Sequence, residues 1–219
     1  MDIGVFGGKG FIGSHLSRSL EDPQIFNRNM RSLNAVAEFV EDKNIIYHVA
    51  GKNREPQYGD IMYNNIRCTA NLVVACKRLK IDPYIVFISS AQVLTNPDSE
   101  YGITKRIEER MIMDNFSKWT IVRSVGVFGP GARSNYNSVV ATVCHAIAKK
   151  LPYVIHDRST EIRLIYIDNL IKKILKLKPG RNRVENVKGR KITLGEMENI
   201  LLSEDSQGDF GETLKWYKK

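Results

Sequence analysis

Apolar positions along the first 130 residues fall into two rhythms that take turns. Ile3 to Phe6 is a short apolar run ending in glycines, which predicts a buried strand. Phe11 to Leu20 follows with helical spacing at Phe11, Ile12, Leu16 and Leu20. Pro23 introduces a second strand over Gln24 to Asn27. Leu33, Val36, Ala37 and Val40 then repeat at i, i+3, i+4, i+7 and predict a helix over 33–40. Asn44 to Ala50 is β-branched and aromatic and again ends in glycine. A long helix over Ile66 to Leu79, a strand over Tyr84 to Ile88, a helix over Tyr101 to Met113 and a strand over Thr120 to Val125 complete the series. Strands that alternate with helices make parallel βαβ units, so the expected fold is α/β, a Rossmann-type doubly wound parallel sheet.

Beyond Gly129 the alternation weakens. Asn137 to Lys149 reads as a helix, Tyr153 to Ile167 as short strands with charged residues between them, and Leu194 to Leu202 as a closing helix. The expected organisation is a dinucleotide-binding domain over residues 1–130 and a small substrate-binding lobe over 131–219, together one compact unit.

Composition narrows the classes. The 219 residues suffice for a real core, and 42% hydrophobic with 26% charged residues is the balance of an ordinary folded protein. No apolar run is long enough to span a bilayer, and Met1-Asp2-Ile3 lacks the basic, apolar start of a signal peptide. Cys68, Cys76 and Cys144 show no paired spacing, and the four histidines show no ligand spacing, so neither a disulfide framework nor a metal site is expected. A cytoplasmic location follows from that reading. The net charge of +9 attracts anions in general. No Lys/Arg block, zinc-finger spacing or aromatic-basic repeat points it at nucleic acid, and neither nucleic acid nor membrane is expected as a partner.

The segment Gly7-Gly8-Lys9-Gly10-Phe11-Ile12-Gly13 spaces its glycines as GxxGxxG between the first strand and the first helix. A turn without side chains lets backbone approach a pyrophosphate, and the helix N-terminus behind it offers unpaired N–H groups. Gly7, Lys9, Gly10, Phe11, Ile12 and Gly13 are therefore candidates for binding a dinucleotide. Sheets of this kind that prefer NAD usually carry an acid at the end of the second strand. Here that strand runs into Asn27-Arg28, and a guanidinium grips a 2′-phosphate with two hydrogen bonds. NADP(H) is favoured over NAD(H).

Tyr101-Gly102-Ile103-Thr104-Lys105 places a phenol and an ammonium on one helical face at i, i+4. A free tyrosine titrates near pH 10 (about 10 in peptides), and a neighbouring ammonium favours the phenolate and makes proton exchange easier. Ser90, at the end of the strand before, can hydrogen-bond a reacting oxygen beside that tyrosine.

Together the glycine turn, Tyr47-His48-Val49-Ala50-Gly51, Asn65 to Leu72, Phe87-Ile88-Ser89-Ser90 and the Tyr101/Lys105 pair resemble successive signatures of the extended short-chain dehydrogenases/reductases. The resemblance implies a catalytic triad of Ser90, Tyr101 and Lys105. It implies that Ala50 and Gly51 line the dinucleotide and that Asn65 holds active-site backbone or cofactor. A narrower similarity runs through Ala50 to Arg54, Ser134 to Cys144, Asp157-Arg158, Glu161, Tyr166, Asp168 and Lys191 to Glu196. These segments resemble the reductase domain of capsular-polysaccharide enzymes that reduce a UDP-4-keto-6-deoxy-N-acetylhexosamine at C4. Candidate substrate contacts are Arg54, Ser90, Gln92, Arg133, Asn135, Asn137 and Arg158. In that family a cupin domain that epimerises C3 follows the reductase, whereas this sequence stops at Lys219; a separate 3-epimerase is the expectation, and the resemblance is compatible with a homodimer. The sequence departs from the family at Arg123-Ser124-Val125-Gly126, where Leu-Pro-Asn usually follows the arginine, and at Cys68, where glycine is usual.

Three other activities compete. A 4,6-dehydratase needs an acid pair after the catalytic hydroxyl residue, and Ala91-Gln92 cannot supply a proton. A 4-epimerase that keeps its NAD is the main enzymatic rival. A sensor or scaffold that binds NADP without turnover commonly lacks the Tyr or the Lys, and both are here.

Overall fold

The protein is described by a computed structural model in which residues 1–54, 57, 59–180, 182–203 and 206–219 are placed. The apolar runs become strands β1 (Ile3–Phe6), β3 (Ile45–His48), β4 (Tyr84–Ser90) and β5 (Trp119–Ser124), flanked by the short β2 (Gln24–Ile25) and by β8 (Arg183–Asn186). They form a six-stranded sheet in the order β2-β1-β3-β4-β5-β8, every neighbouring pair parallel. Strands buried on both faces need apolar residues without alternation, which is why β3 and nearly all of β4 are buried along their whole length. Helices α1 (Phe11–Ser19), α2 (Leu33–Val40), α3 (Asp60–Leu79), α4 (Gln92–Thr95) and α5 (Glu100–Asn115) connect the strands. Phe6, Val36, Val40, Ile46, Leu72, Phe87, Ile112 and Ile121 meet in the core between sheet and helices. The direction of winding reverses between β1 and β3, and the crevice outside the carboxyl ends of such strands is where ligands of doubly wound sheets bind.

This first unit comprises Met1–Ser124 and Lys173–Val187, because β8 returns to extend the sheet beyond β5. The second unit, Val125–Lys172 with Lys188–Lys219, is built on a smaller sheet ordered β6 (Gly126–Phe128), β7 (Glu161–Tyr166), β9 (Arg190–Thr193). There β6 pairs with β7 in parallel and β9 antiparallel to it. Helix α6 (Val139–Lys149) packs on α9 (Gly208–Lys218) and on α8 (Leu194–Leu202), whose N-terminus is closed by a reciprocal Thr193/Glu196 cap. Phe210 stacks on Phe128 at 4.6 Å, and Tyr217 donates its hydroxyl to the carbonyl of Ala132. The remaining helix, α7 (Ile167–Leu175), carries the chain from β7 back toward β8.

Two expectations are corrected. The long helix begins at Asp60, not Ile66, because Glu100 Oε1 accepts from the N–H groups of Gly59 (2.9 Å) and Met62 (3.2 Å) and caps its first turn from a distant part of the chain. The stretch from Tyr153 contains only one strand, β7; before it Asp157 accepts from the Ser159 N–H and from the hydroxyls of Ser159 and Thr160, folding the chain into a turn. Strands β6, β8 and β9 are too short to show a period and were not foreseen; neither were α7 and α9, although Ile167, Leu170, Ile171 and Ile174 of α7 repeat at i, i+3, i+4, i+7 and are all buried.

Candidate functional site

The glycine turn leaves β1 and enters α1 with no room for side chains. Gly7 has φ +83°, a region L side chains rarely adopt, and a Cβ on it would lie 2.6 Å from the Ala50 nitrogen. A Cβ on Gly13 would lie 2.1 Å from the Gly7 carbonyl oxygen. The turn closes on itself where the Gly10 N–H donates to that carbonyl at 2.9 Å. Helix α1 then starts at Phe11 without a side-chain cap and without an acid in its first turn. An open helix N-terminus behind bare backbone at the sheet's switch point suits an anionic diphosphate, so Gly7, Gly10, Phe11, Ile12 and Gly13 fit a bound dinucleotide. Lys9 stands exposed in the same turn.

Beyond β3 the chain passes through Ala50 and Gly51 into a loop that Asn65 holds from α3. Its side-chain amide donates to the Lys52 carbonyl and accepts from the Lys52 N–H, both at 2.8 Å. Paired bonds of this kind fix the loop's orientation as well as its position. A Cβ on Gly51 would come within 3.1 Å of Lys105 Nζ, so the glycine admits the lysine tip.

Ser90 ends β4, and Tyr101 and Lys105 lie in the first turns of α5. Ser99 caps that helix by accepting from the Gly102 N–H at 3.0 Å, which sets where Tyr101 enters. Lys105 Nζ lies 5.9 Å from the centroid of the Tyr101 ring and 4.5 Å from that of Phe87. The Ser90 hydroxyl accepts from the Gln92 N–H at 3.2 Å, which leaves its own hydrogen to donate elsewhere.

Lys105 is buried, with 2% of its side chain exposed, and pairs with Glu108, which is wholly buried, at 3.1 Å. Burial pushes the lysine's pKa down, but the charges of Glu108, Tyr101 and Glu109 outweigh that and hold it above the ordinary lysine value. Glu108 Oε1 accepts from the Thr69 hydroxyl at 2.7 Å, and that hydroxyl lies 2.9 Å from His48 Nε2. Burial drives the His48 pKa down to about 3, with the Lys105 charge adding to it, so the ring is neutral. One residue on, Glu109 accepts from Ser89 at 2.5 Å and takes Arg123 in a two-bond fork at 2.9 and 2.6 Å. Sequence reading singled out none of Glu108, Glu109, Thr69 and Ser89 and gave His48 no role. The signal was present at i+3 and i+4 from Lys105, where two acids share the helix face that Ile112 buries.

Arg28 stands exposed just beyond β2, where its guanidinium bonds Glu38 at 2.5 Å and the Ala35 carbonyl at 3.0 Å. Arg54 lies exposed beyond β3, and Gln92 opens α4. In the second unit Arg133 lies over the Tyr136 ring at 5.2 Å. Asn135 adopts φ +56° and donates its N–H to Thr142, and Asn137 is exposed. Arg158 is engaged by α8: it pairs with Glu198 and donates to Asn199 at 3.0 Å. Among the described residues no group of His, Cys, Asp and Glu could hold a metal ion, and no helix is long and apolar enough to cross a membrane.

A model of the NAD dependent epimerase/dehydratase family matches residues 3–188. The UDP-2-acetamido-2,6-beta-L-arabino-hexul-4-ose reductase of Pseudomonas aeruginosa is 32% identical over 190 residues, 83% of this chain and 50% of that protein. The chain thus spans about half the length of that curated relative. Among solved structures, the capsular polysaccharide assembling protein CapF from Staphylococcus aureus superposes with a TM-score of 0.75 at 25% identity, over 99% of this chain and 66% of that one. A UDP-N-acetylglucosamine 4-epimerase from Methanobrevibacter ruminantium superposes with a TM-score of 0.83 at 21% identity, over 99% and 97%. That likeness shows the shared fold.

Proposed function

Because the chain belongs to the NAD dependent epimerase/dehydratase family, we propose that it is a nucleotide-sugar oxidoreductase that reduces the C4 ketone of a UDP-linked 4-keto-6-deoxy-N-acetylhexosamine, with NADPH. The observation that carries the reading is the buried lysine beside Tyr101, on the helix that follows the Ser90 strand end after the short α4. The similarity to a hexul-4-ose reductase supports the ketone as substrate.

A bound nicotinamide supplies the hydride. The chain's own residues handle the oxygen. The Ser90 hydroxyl donates to the ketone oxygen, Tyr101 gives its proton to that oxygen as negative charge builds, and the Lys105 ammonium stabilises the phenolate left behind. Atoms balance: one hydride and one proton turn the ketone into an alcohol. Ala91-Gln92 offers no acid for expelling a hydroxyl, which separates this site from a dehydratase. Gly7, Lys9, Gly10, Phe11, Ile12, Gly13, Ala50 and Gly51 hold the dinucleotide, Asn65 serves it by holding the Lys52 backbone, and Arg28 meets its 2′-phosphate. Arg54, Gln92, Arg133, Asn135 and Asn137 are the proposed substrate contacts. Arg158 is the weakest of these proposals, since it already serves Glu198 and Asn199.

The test is a panel of UDP- and dTDP-linked 4-keto-6-deoxy sugars, with NADPH absorbance followed and products identified by NMR. Consumption of NADPH with a new C4 alcohol is expected for a UDP-linked N-acetylhexosamine. A panel with no NADPH consumption at all would reject the proposal.

One observation favours a second reading. The Arg28 charge is matched by Glu38, so the end of β2 also suits NAD retained by a 4-epimerase. That enzyme would interconvert C4 epimers of a UDP-sugar without net use of reduced cofactor.

A further inference from the structure

The structure assigns a task to Glu108 that deepens the proposed reductase and rests on it: Glu108 is a positioning residue that keeps the buried Lys105 charged and fixed beside Tyr101, and is itself anchored by Thr69 and His48. The pair lies at i, i+3 on α5, with 2% and 0% of the two side chains exposed and 3.1 Å between them. A buried ion pair adds little to stability on balance, because desolvation offsets its attraction. Its place under the reacting face therefore asks for another explanation.

Lys105 has few other means of staying ionised. Its tip faces the Phe87 and Tyr101 rings and the bare backbone of Gly51. The charged or titratable groups around the pair are Tyr101 and Glu109 on α5, His48 on β3 and Cys68 on α3. Glu109 is already matched by Arg123 of β5. His48 is neutral, and burial raises the Cys68 thiol above its ordinary value, so neither supplies a counter-charge near neutral pH. Tyr101 carries no charge while it holds the proton it is to donate, so Glu108 is left as the counter-ion. Without it, burial would favour the neutral amine, and a neutral amine cannot draw the Tyr101 proton equilibrium toward phenolate.

The anchor has a fixed direction. Thr69 has one hydroxyl hydrogen and gives it to Glu108 Oε1, so its oxygen must accept from His48. His48 is therefore the Nε2–H tautomer, and its bare Nδ1 has no hydrogen-bond partner. The order of donation is His48 to Thr69 to Glu108, with Lys105 on the carboxylate's other oxygen.

The experiment reads the charge on Lys105 directly. Correlation spectra of 13Cε with 15Nζ, recorded across pH on the labelled chain, distinguish ammonium from amine, and Lys105→Met identifies the signal. In the unaltered protein the Lys105 signal should stay that of an ammonium to above the ordinary lysine midpoint of about 10.4. In Glu108→Gln the midpoint should fall by about 1–3 pH units, the effect of losing an opposite charge at this range. Thr69→Val should lower it by less, and Thr69→Ser should restore it. Should Glu108→Gln fail to fold, the threonine pair carries the test. An unchanged Lys105 midpoint in Glu108→Gln, or in Thr69→Val where only that variant folds, overturns the assignment. The readout needs no turnover. If Lys105→Met reduced the sugar at full rate, the reductase reading would fail, while the midpoints would still decide what Glu108 does.

Discussion

The glycine turn and the Tyr101 face follow β1 and β4, strands of one parallel sheet with β3 between them, and are built from opposite materials. The turn offers only backbone: Gly7 and Gly13 leave no space for one added carbon, and α1 begins without acid or cap. The face is all side chain, and its charges are buried in two matched pairs, Lys105 with Glu108 and Arg123 with Glu109. The turn works by shape and should be indifferent to pH. The face works by charge, so its failures should depend on which groups are ionised.

The largest effect belongs to the face. Tyr101→Phe keeps the ring and removes only the proton donor, so kcat should fall by about 10²–10⁴ while NADPH binding and fold persist. Single-turnover rates against a cofactor titration check both halves. Turnover within about threefold of the unaltered chain, far short of that range, would remove Tyr101 from the mechanism. Next comes Arg123→Met, which strands the Glu109 carboxylate with Ser89 alone. Breaking one half of a buried pair costs about 3–5 kcal/mol, here read by urea unfolding. Adding Glu109→Leu should recover much of the loss, since the unmatched charge, more than the missing contact, causes it.

The turn gives a contrasting result. Gly13→Ala places a methyl where the Gly7 carbonyl oxygen stands at 2.1 Å. Overpacking of about 1–3 kcal/mol should weaken dinucleotide binding roughly ten- to a hundredfold, equally at pH 6 and pH 9. A loss confined to one end of that range would show charge at work where only shape is claimed. His48 supplies the opposite pattern. Its pKa is lowered to about 3 by burial and by Lys105, so the unfolded chain binds its proton first as pH falls. His48 therefore contributes stability that is complete above the unfolded value of about 6.5 and is lost as pH falls toward the folded one. The slope is at most about 1.4 kcal/mol per pH unit. Unfolding of His48→Gln should be flatter over that acidic window, and an identical slope would remove His48 as its source.

The same contrast explains what could be read in the sequence. Shape leaves a compact signature: glycines at fixed spacing after an apolar run locate the turn and the sheet around it. Tyr101 and Lys105 were legible because one helix carries both at i, i+4. Their support was harder to see, since Thr69, His48 and Arg123 come from α3, β3 and β5, and only folding brings them to Glu108 and Glu109. Arg158 shows the reverse: an exposed-looking arginine whose partners, Glu198 and Asn199, lie some forty residues on. The second unit was read least well because its strands are short and half-exposed, so β9 carries charged residues without an alternating pattern; β8, which extends the first unit's sheet, escaped notice for the same reason.

The smallest effect lies at the edge of the turn, where shape and charge meet. Arg28 is proposed to hold a 2′-phosphate, yet its guanidinium already bonds Glu38 and the Ala35 carbonyl, and 46% of the arginine and 66% of the glutamate side chain are exposed. An exposed pair of this kind is worth about 0–1 kcal/mol, less than a charge-assisted fork to phosphate, so the phosphate should win but at a discount. Glu38→Gln keeps an acceptor for Arg28 and removes the competing charge, which also repels the phosphate. The ratio of kcat/KM for NADPH over NADH should therefore rise, by up to about fivefold on that scale, mostly through the NADPH KM and with NADH little changed. Added salt should shrink the gain, since both charges face solvent. Arg28→Ala should move the ratio the other way and make Glu38→Gln silent in its presence. A gain that survives Arg28→Ala would place the source of cofactor choice elsewhere, and a wild-type ratio near one would give the NAD-retaining epimerase the better claim on this end of the sheet.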